Sequence, residues 1–447
     1  MQSTALRLTI IILLASVTLA AGRLSHLPFL DPAARAGFVV PAPVALVSDQ
    51  AQIGDAISFL ENRIRSDRED TLAYNKLGGY YLQELRETGA LQYLDLMSRA
   101  ARASLASVPV VRNMDGLSLL ELSEFSTHDF RAARGHAIEL SRLDPSKEYP
   151  YEMLFDSDIE LGAYDDANVA FKQMLKHSHG ASLNTETRYA RLATLDGDTL
   201  AASRHLSTAI ALGLHLSAPP REIIAWSYWQ LGETAFNRGE YQDAETYYRD
   251  ALVSFPGYFR ALASLGRARA AQGDLQDAIV QYKAAIDVLP DPAYVAALGD
   301  LYRLTGKDNE AANQYALVEV IGHLSVLAGV LYNRPLALFY ADHDMKAQQA
   351  YRSAKREYAL RRDIYGADAV AWTALKSGKL TEAKTAMKEA MRLGTLDSKL
   401  FYHAGMIARA TGDNTSARVL LRRALDLNPV FDPLQAPRAQ IALRALR

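Results

Sequence analysis

The sequence has no cysteine. That excludes structural disulfides, cysteine-bound zinc, cysteine-bound iron–sulfur clusters and thiol nucleophiles. It leaves the redox compartment open. A surplus of either charge is missing as well. The 49 Lys and Arg against 51 Asp and Glu leave a formal net charge of −2, which argues against a dedicated nucleic-acid binder with its strongly basic domain. Tryptophan is scarce at three residues, so the places where it falls are informative. Known catalytic motifs are also missing. There is no His-Glu-x-x-His, no Gly-x-Ser-x-Gly and no Gly-x-x-x-x-Gly-Lys-Ser/Thr. Leu304-Thr305-Gly306-Lys307 has the wrong glycine spacing for a phosphate loop. Past the N-terminus, the most apolar stretch, Val318 to Leu331, is interrupted by Glu319 and His323. It is too short for the ~20 residues of a membrane span and reads as a long, fully covered helix.

What is present is a folding composition. Hydrophobic residues make up 49% and charged residues 22%, unlike a disordered chain. A length of 447 residues suggests about three globular domains at roughly 150 residues each. The ends read separately from the body. Residues 1–22 carry Arg7 and then an uncharged stretch from Leu8 to Gly22, the pattern of a signal peptide or an N-terminal anchor. Small residues near Ala20 and Gly22 suit cleavage. This predicts an exported chain, periplasmic or extracellular, anchored through residues 8–22 if uncleaved. Residues 23–52 hold Pro28, Pro32, Pro41 and Pro43; proline at that density breaks helices and favours extended chain, so a linker is expected. Residues 435–447 read as a last amphipathic helix that caps the body.

The body repeats. Leu231-Gly232, Leu265-Gly266 and Leu298-Gly299 recur at spacings of 34 and 33. Seven residues after each glycine comes another, at Gly239, Gly273 and Gly306. Ala244, Ala278 and Ala311 follow, then Tyr248, Tyr282 and Tyr315, with Pro256 and Pro290 closing the first two units. The first glycine lies where a side chain would hold two helices apart. The second suits the left-handed turn that ends a helix. The alanines let the second helix press on the first, and the tyrosine is expected to fill the groove between units. The same comb extends outward to Tyr74-x-x-Leu77-Gly78-x-x-Tyr81 and to Gly405, Gly412, Ala417 and Pro429. A loop insertion near Ser217 to Pro220 divides it.

This pattern resembles the tetratricopeptide repeat (TPR), a 34-residue helix–turn–helix unit. The resemblance implies an all-α, right-handed α-solenoid of about ten units. Divergent repeats would occupy 53–216 and clearer ones 217–434. It also implies that the first helices line a concave face that binds protein or peptide segments. On those helices the inward set is Trp226, Trp229, Glu233 and Asn237, then Arg260 and Arg267, then Arg303, then Trp372, then Tyr402 and Arg409. All three tryptophans fall in it, and aromatic and arginine side chains are the types enriched at binding hot spots. The acidic-C-terminus clamp of some family members is missing, because Trp229 and Glu233 stand in its place. His177-Ser178-His179 and Asp342-His343-Asp344 sit at helix ends, where such residues commonly satisfy the backbone. The expectation is therefore a non-enzymatic interaction scaffold with no cofactor, no metal and no nucleic-acid partner. It would touch a membrane only through its N-terminal segment. The competing expectation is an envelope ligand- or carbohydrate-binding protein, or a hydrolase, using the aromatic-lined groove.

Overall fold

The structure is a computed structural model and describes residues 38–327 and 334–446. The expected export segment, residues 23–37 of the expected linker, and residues 328–331 of the apolar stretch lie outside the described residues. Among those described there is no strand, and no helix is long and apolar enough to cross a membrane.

Helix α1 (Gln50–Ser66) leads into ten helical pairs. These are α2 (Thr71–Thr88) with α3 (Gln92–Ser107), α4 (Met114–Ser126) with α5 (Phe130–Leu143), and α6 (Tyr149–Leu161) with α7 (Tyr164–His177). Next come α8 (Leu183–Leu195) with α9 (Thr199–Leu214), α10 (Arg221–Asn237) with α11 (Tyr241–Ser254), and α12 (Phe259–Ala271) with α13 (Leu275–Val288). The last four are α14 (Pro292–Leu304) with α15 (Asp308–Leu327), α16 (Arg334–Asp342) with α17 (Ala347–Leu360), α18 (Ile364–Lys376) with α19 (Leu380–Ala390), and α20 (Ser398–Ala410) with α21 (Asn414–Leu427). Helix α22 (Gln435–Ala445) closes the array. Apart from α7 and α8, each helix packs on the next in the chain, and several first helices also touch the first helix of the following unit. The architecture is an α-solenoid.

Local chemistry explains the pairs. A Gly-Asp dipeptide ends one helix and starts the next. Gly273 takes φ +88°, and the Asp274 side chain then accepts the Asp277 N–H at the start of α13. Asp198 and Asp413 cap α9 and α21 in the same way. Such a cap is worth about 1 kcal/mol. Ala244, Ala278, Ala417 and Ala424 are fully buried between paired helices. The tyrosine's place differs from the expectation. It packs over the glycine of its own unit, because a Cβ on Gly232 would lie 2.3 Å from the Tyr248 ring. Gly266 with Tyr282 and Gly299 with Tyr315 repeat the arrangement. The long helix α15 also differs. Leu317, Val320 and Leu324 are exposed, at the i, i+3, i+7 spacing of a single helical face.

The solenoid turns back on itself. The turn of the third unit docks on the loop after the eighth, where the Arg362 N–H donates to the Leu161 carbonyl at 3.0 Å and the Ile364 N–H to the Tyr164 hydroxyl at 3.0 Å. The turn of the fourth unit meets the loop after the ninth, through Thr395 donating to the Leu195 carbonyl. The turn of the fifth meets the loop after the tenth. There the Asn428 side-chain amide donates to the Phe236 carbonyl at 2.7 Å, and the Tyr241 hydroxyl to Asn428 at 2.6 Å. One register, five units apart, recurs at three places. A second turn of the coil thus stacks on the first.

Residues 38–48 are extended and pack on the array. Val40 is buried in a cluster with Leu206, Ile210, Ile224 and Tyr228. The Tyr228 hydroxyl donates to the Pro41 carbonyl at 2.8 Å, and Ser207 donates to the Val39 carbonyl. Part of the expected linker therefore lies against residues almost two hundred positions on.

Candidate functional site

Charged and tyrosine side chains on the first helices of several units act on one another electrostatically. Burial raises the carboxyl pKa of both Asp156 on α6 and Glu222 on α10, and Arg86 of α2 offsets a part of the rise in each. On α14, burial raises the pKa of Tyr294. Arg260 of α12 counters this, while Asp291 and Glu233 add to it.

A fixed network joins α10, α11 and α12. Glu233 follows the packing glycine of α10, and Arg267 holds the same register in α12. One Glu233 carboxylate oxygen accepts from the Tyr248 hydroxyl at 2.8 Å, the Ser264 hydroxyl at 2.8 Å and the Arg267 guanidinium at 2.6 Å. The Trp229 indole N–H donates to the same Ser264 hydroxyl at 2.9 Å. The Arg267 guanidinium also lies 4.0 Å from the Phe236 ring centroid. Burial lowers the Arg267 pKa, but Glu233 more than offsets this and the net shift is upward. Trp229 is thereby fixed in orientation, with Trp226 one helical turn away. Arg260 is exposed and rests 5.5 Å from the Trp229 ring centroid. Among the described residues it forms no ion pair. The result is an aromatic platform with an exposed cation beside it, which also lies 5.2 Å from the Phe259 ring centroid and within the field of Glu222 and Asp291.

The remaining expected residues are spread out. Asn237 is half-buried at the end of α10, and Arg303 and Arg409 are exposed near the ends of α14 and α20. Trp372 and Tyr402 are core residues, at 0% and 1% exposure. The Trp372 indole donates to Asp342 at 2.8 Å and stacks on His403 with ring centroids 4.2 Å apart, while the Tyr402 hydroxyl donates to Gln435 at 2.8 Å. The second turn of the coil and α22 cover them, so neither has surface to offer a partner. The Asp342-His343-Asp344 cluster is divided among separate structural contacts. Asp342 holds Trp372 and Lys399, His343 meets Asp300 at 2.7 Å, and Asp344 pairs with Lys376 at 2.5 Å. His177 stacks on Tyr151. Among the described residues, no group of three or more His, Asp or Glu could hold a metal ion. A cavity of about 670 Å³ lies between α2 and the start of α10 and is lined by none of the tryptophans.

Sequence reading missed an acidic ladder on α6. Glu148, Glu152, Asp156 and Glu160 recur every four residues, a spacing that puts them on one face. Arg188 of α8 meets Asp156 at 2.5 Å and Glu152 at 3.6 Å, and Arg191 meets Glu160 at 3.5 Å. The strict four-residue spacing was the available signal. Behind the ladder, Glu121 of α4 is 1% exposed, and one of its carboxyl oxygens has no hydrogen-bond partner among the described residues. Burial, reinforced by Asp156 and Glu124, pushes its pKa up to about 9. The folded state therefore keeps a proton that the unfolded state loses near the ordinary Glu value of about 4.3. Stability falls as pH rises between those two values and is level above them. Glu121→Gln should raise stability at pH 8 by about 2 kcal/mol and flatten the decline between about pH 5 and 9. Urea unfolding at a series of pH values tests this; an unchanged pH profile refutes it.

With the geometry established, the chain can be compared with known proteins. Residues 230–288 and 369–430 match the tetratricopeptide repeat family model. The array is tetratricopeptide-like. The matched stretches fall on the fifth and sixth and on the ninth and tenth tetratricopeptide-like units. Among curated proteins, none matches the sequence. Several solved structures are similar to parts of the chain. The type IV pilus biogenesis factor PilW is 17% identical with a TM-score of 0.38, over 46% of this chain and 91% of PilW. A tetratricopeptide repeat protein from Parabacteroides merdae is 15% identical with a TM-score of 0.32, over 59% of this chain and 98% of that one. The human IFIT1 dimer with PPP-AAAA is 13% identical with a TM-score of 0.43, over 86% of this chain and 96% of that one. At such low TM-scores these likenesses say nothing of function.

Proposed function

We propose that this chain is an exported or membrane-anchored, non-enzymatic scaffold that holds a protein or peptide segment against the concave face of its coil. The observation that carries the reading is the platform at Trp226, Trp229 and Arg260. Two half-buried indoles, one of them held by Ser264, stand beside an exposed arginine that forms no ion pair within contact distance among the described residues. A binding surface of this kind loses little side-chain entropy on association, and its residue types dominate measured interfaces. Arg303 extends the face along α14, and Glu233 and Arg267 hold it in shape rather than touching the partner. The export and anchoring part rests on residues 1–22 alone.

Truncating a hot-spot tryptophan or arginine costs about 2 kcal/mol or more, roughly thirtyfold in affinity. The full chain carrying Trp229→Ala with Arg260→Glu should therefore lose its crosslinked partner under mild conditions. A Val280→Ser chain, altered at an exposed site on the second helix of its unit, should keep it. Equal partner recovery from both variants would discredit the groove.

A further inference from the structure

The extended segment at residues 38–48 shows how this array holds a peptide. It contributes no secondary structure, yet two side-chain hydroxyls read its backbone. Tyr228 of α10 donates to the Pro41 carbonyl at 2.8 Å, and Ser207 of α9 donates to the Val39 carbonyl. Phe38, Val40 and Leu46 pack inward against the array, while Val39, Val44 and Val47 are exposed at 69%, 46% and 90%. Main-chain carbonyl recognition joined to pockets for some of the side chains is how proteins bind extended peptides. Pro41 and Pro43 restrict the segment before it binds, which lowers the entropy lost on ordering. From Phe38 to Val47 it carries no charge, and the wall it meets is Leu206, Ile210, Ile224 and Tyr228. The segment does not fill the space at hand. The cavity of about 670 Å³ opens beside Leu46 and Val47 toward Leu82, Pro219 and Ile223.

We propose that the groove between α9 and α10 is a binding site for extended, proline-bearing apolar segments, filled in cis by residues 38–48 and in trans by a partner protein's segment of the same chemistry. This site is separate from the platform at Trp229 and stands or falls independently of it. The tethered segment acts as a competitor. A free peptide sees only the fraction of molecules whose own segment has left, so its apparent affinity is reduced by that fraction.

The test uses the full chain and a fluorescent synthetic peptide with the sequence of residues 38–47. Val40→Asp puts a carboxylate against Leu206 and Ile224 and expels the tethered segment. By anisotropy, the Val40→Asp chain should bind the peptide at least about tenfold tighter than the unsubstituted chain. Adding Tyr228→Phe and Ser207→Ala to that chain should weaken binding about tenfold, since two hydrogen bonds to the peptide are lost. A Val40→Asp chain that is folded by circular dichroism, yet binds no better than the unsubstituted chain, overturns the proposal. Should Val40→Asp fail to fold, a second measurement decides. Val39→Cys creates the sole cysteine of the chain at an exposed position, and a dye placed there reports on the tethered segment. Unlabelled peptide should release that segment and change the dye signal. A peptide carrying Pro41→Gly and Pro43→Gly should need about tenfold more to do so. No change at saturating peptide overturns the proposal. So does a dye response accompanied by a doubled mass in light scattering, which would assign the groove to a second copy.

Discussion

Gly162→Ala should lower the stability of the folded chain by about 4 kcal/mol. Gly162 ends α6 with φ +74°, a conformation that costs an alanine about 1 kcal/mol. The larger part comes from the seam between the two turns of the coil. A Cβ on Gly162 would lie 2.2 Å from the Arg362 carbonyl oxygen and 2.6 Å from the Asp363 amide nitrogen. Those are backbone atoms and cannot swing aside as a side-chain tip would. The clash must push apart a contact that also carries the Arg361–Glu160 ion pair and the Arg392 bond to the Gly162 carbonyl at 2.9 Å. Gly273→Ala is the control. Its φ is +88°, but nothing lies within 4 Å of the place its methyl group would take, so only the conformational cost of about 1 kcal/mol remains. Equal losses for the two variants, measured by urea unfolding, would mean that the seam is not formed in solution.

Arg334→Met should cost about 3 kcal/mol at pH 7. The Arg334 guanidinium spans two buried carboxylates, Glu357 at 2.8 Å and Asp363 at 2.7 Å, whose side chains are 5% and 6% exposed. Burial raises the Asp363 pKa, but Arg334 and Arg361 outweigh it and the net shift is downward. Glu357 stays raised by burial in spite of Arg334. With Arg334 gone, Arg361 alone remains beside them, at 3.2 Å from Asp363 and 3.9 Å from Glu357. The sign of the pH effect follows. In the unsubstituted chain the lowered Asp363 stabilises above its unfolded pKa of about 3.9 and loses that contribution as pH falls through the folded value. In the variant both acids are pushed upward, so the folded state retains protons that the unfolded state releases. Its deficit should therefore be largest at neutral pH and shrink toward pH 4. A deficit that does not change between pH 7 and pH 4.5 would show that lost packing, rather than charge, is responsible.

The comb of glycines, alanines and tyrosines made the unit legible because it records contacts within one helical pair. Gly232 needs no partner beyond Tyr248, and Asp274 caps the helix three residues ahead. The platform was half legible for the same reason. Trp226, Trp229 and Glu233 share a face by helical spacing, and Arg267 repeats the Glu233 register one unit on. Trp372 holds that same register in α18, and there helical spacing no longer suffices. Whether a residue in this position faces solvent or protein depends on what the rest of the coil brings over it. Asp342, His403 and α22 bring a cover to Trp372, while Glu233 and Arg267 stay half-buried.

Length alone suggests three domains, the repeat replaces them with one array, and the seam bends that array back on itself. By itself the sequence determined an all-α repeat, its period, and the caps and turns of each unit. Each of these arises from contacts spaced within about one repeat, where a residue type has a direct local reason. Only the tertiary structure decided that the solenoid turns back so that the third unit meets the eighth, that two expected groove residues are core, and that residues 38–48 occupy a groove far along the chain. Those outcomes depend on small rotations between units, which accumulate over five of them. No single residue encodes that sum, so the periodic pattern could not display it.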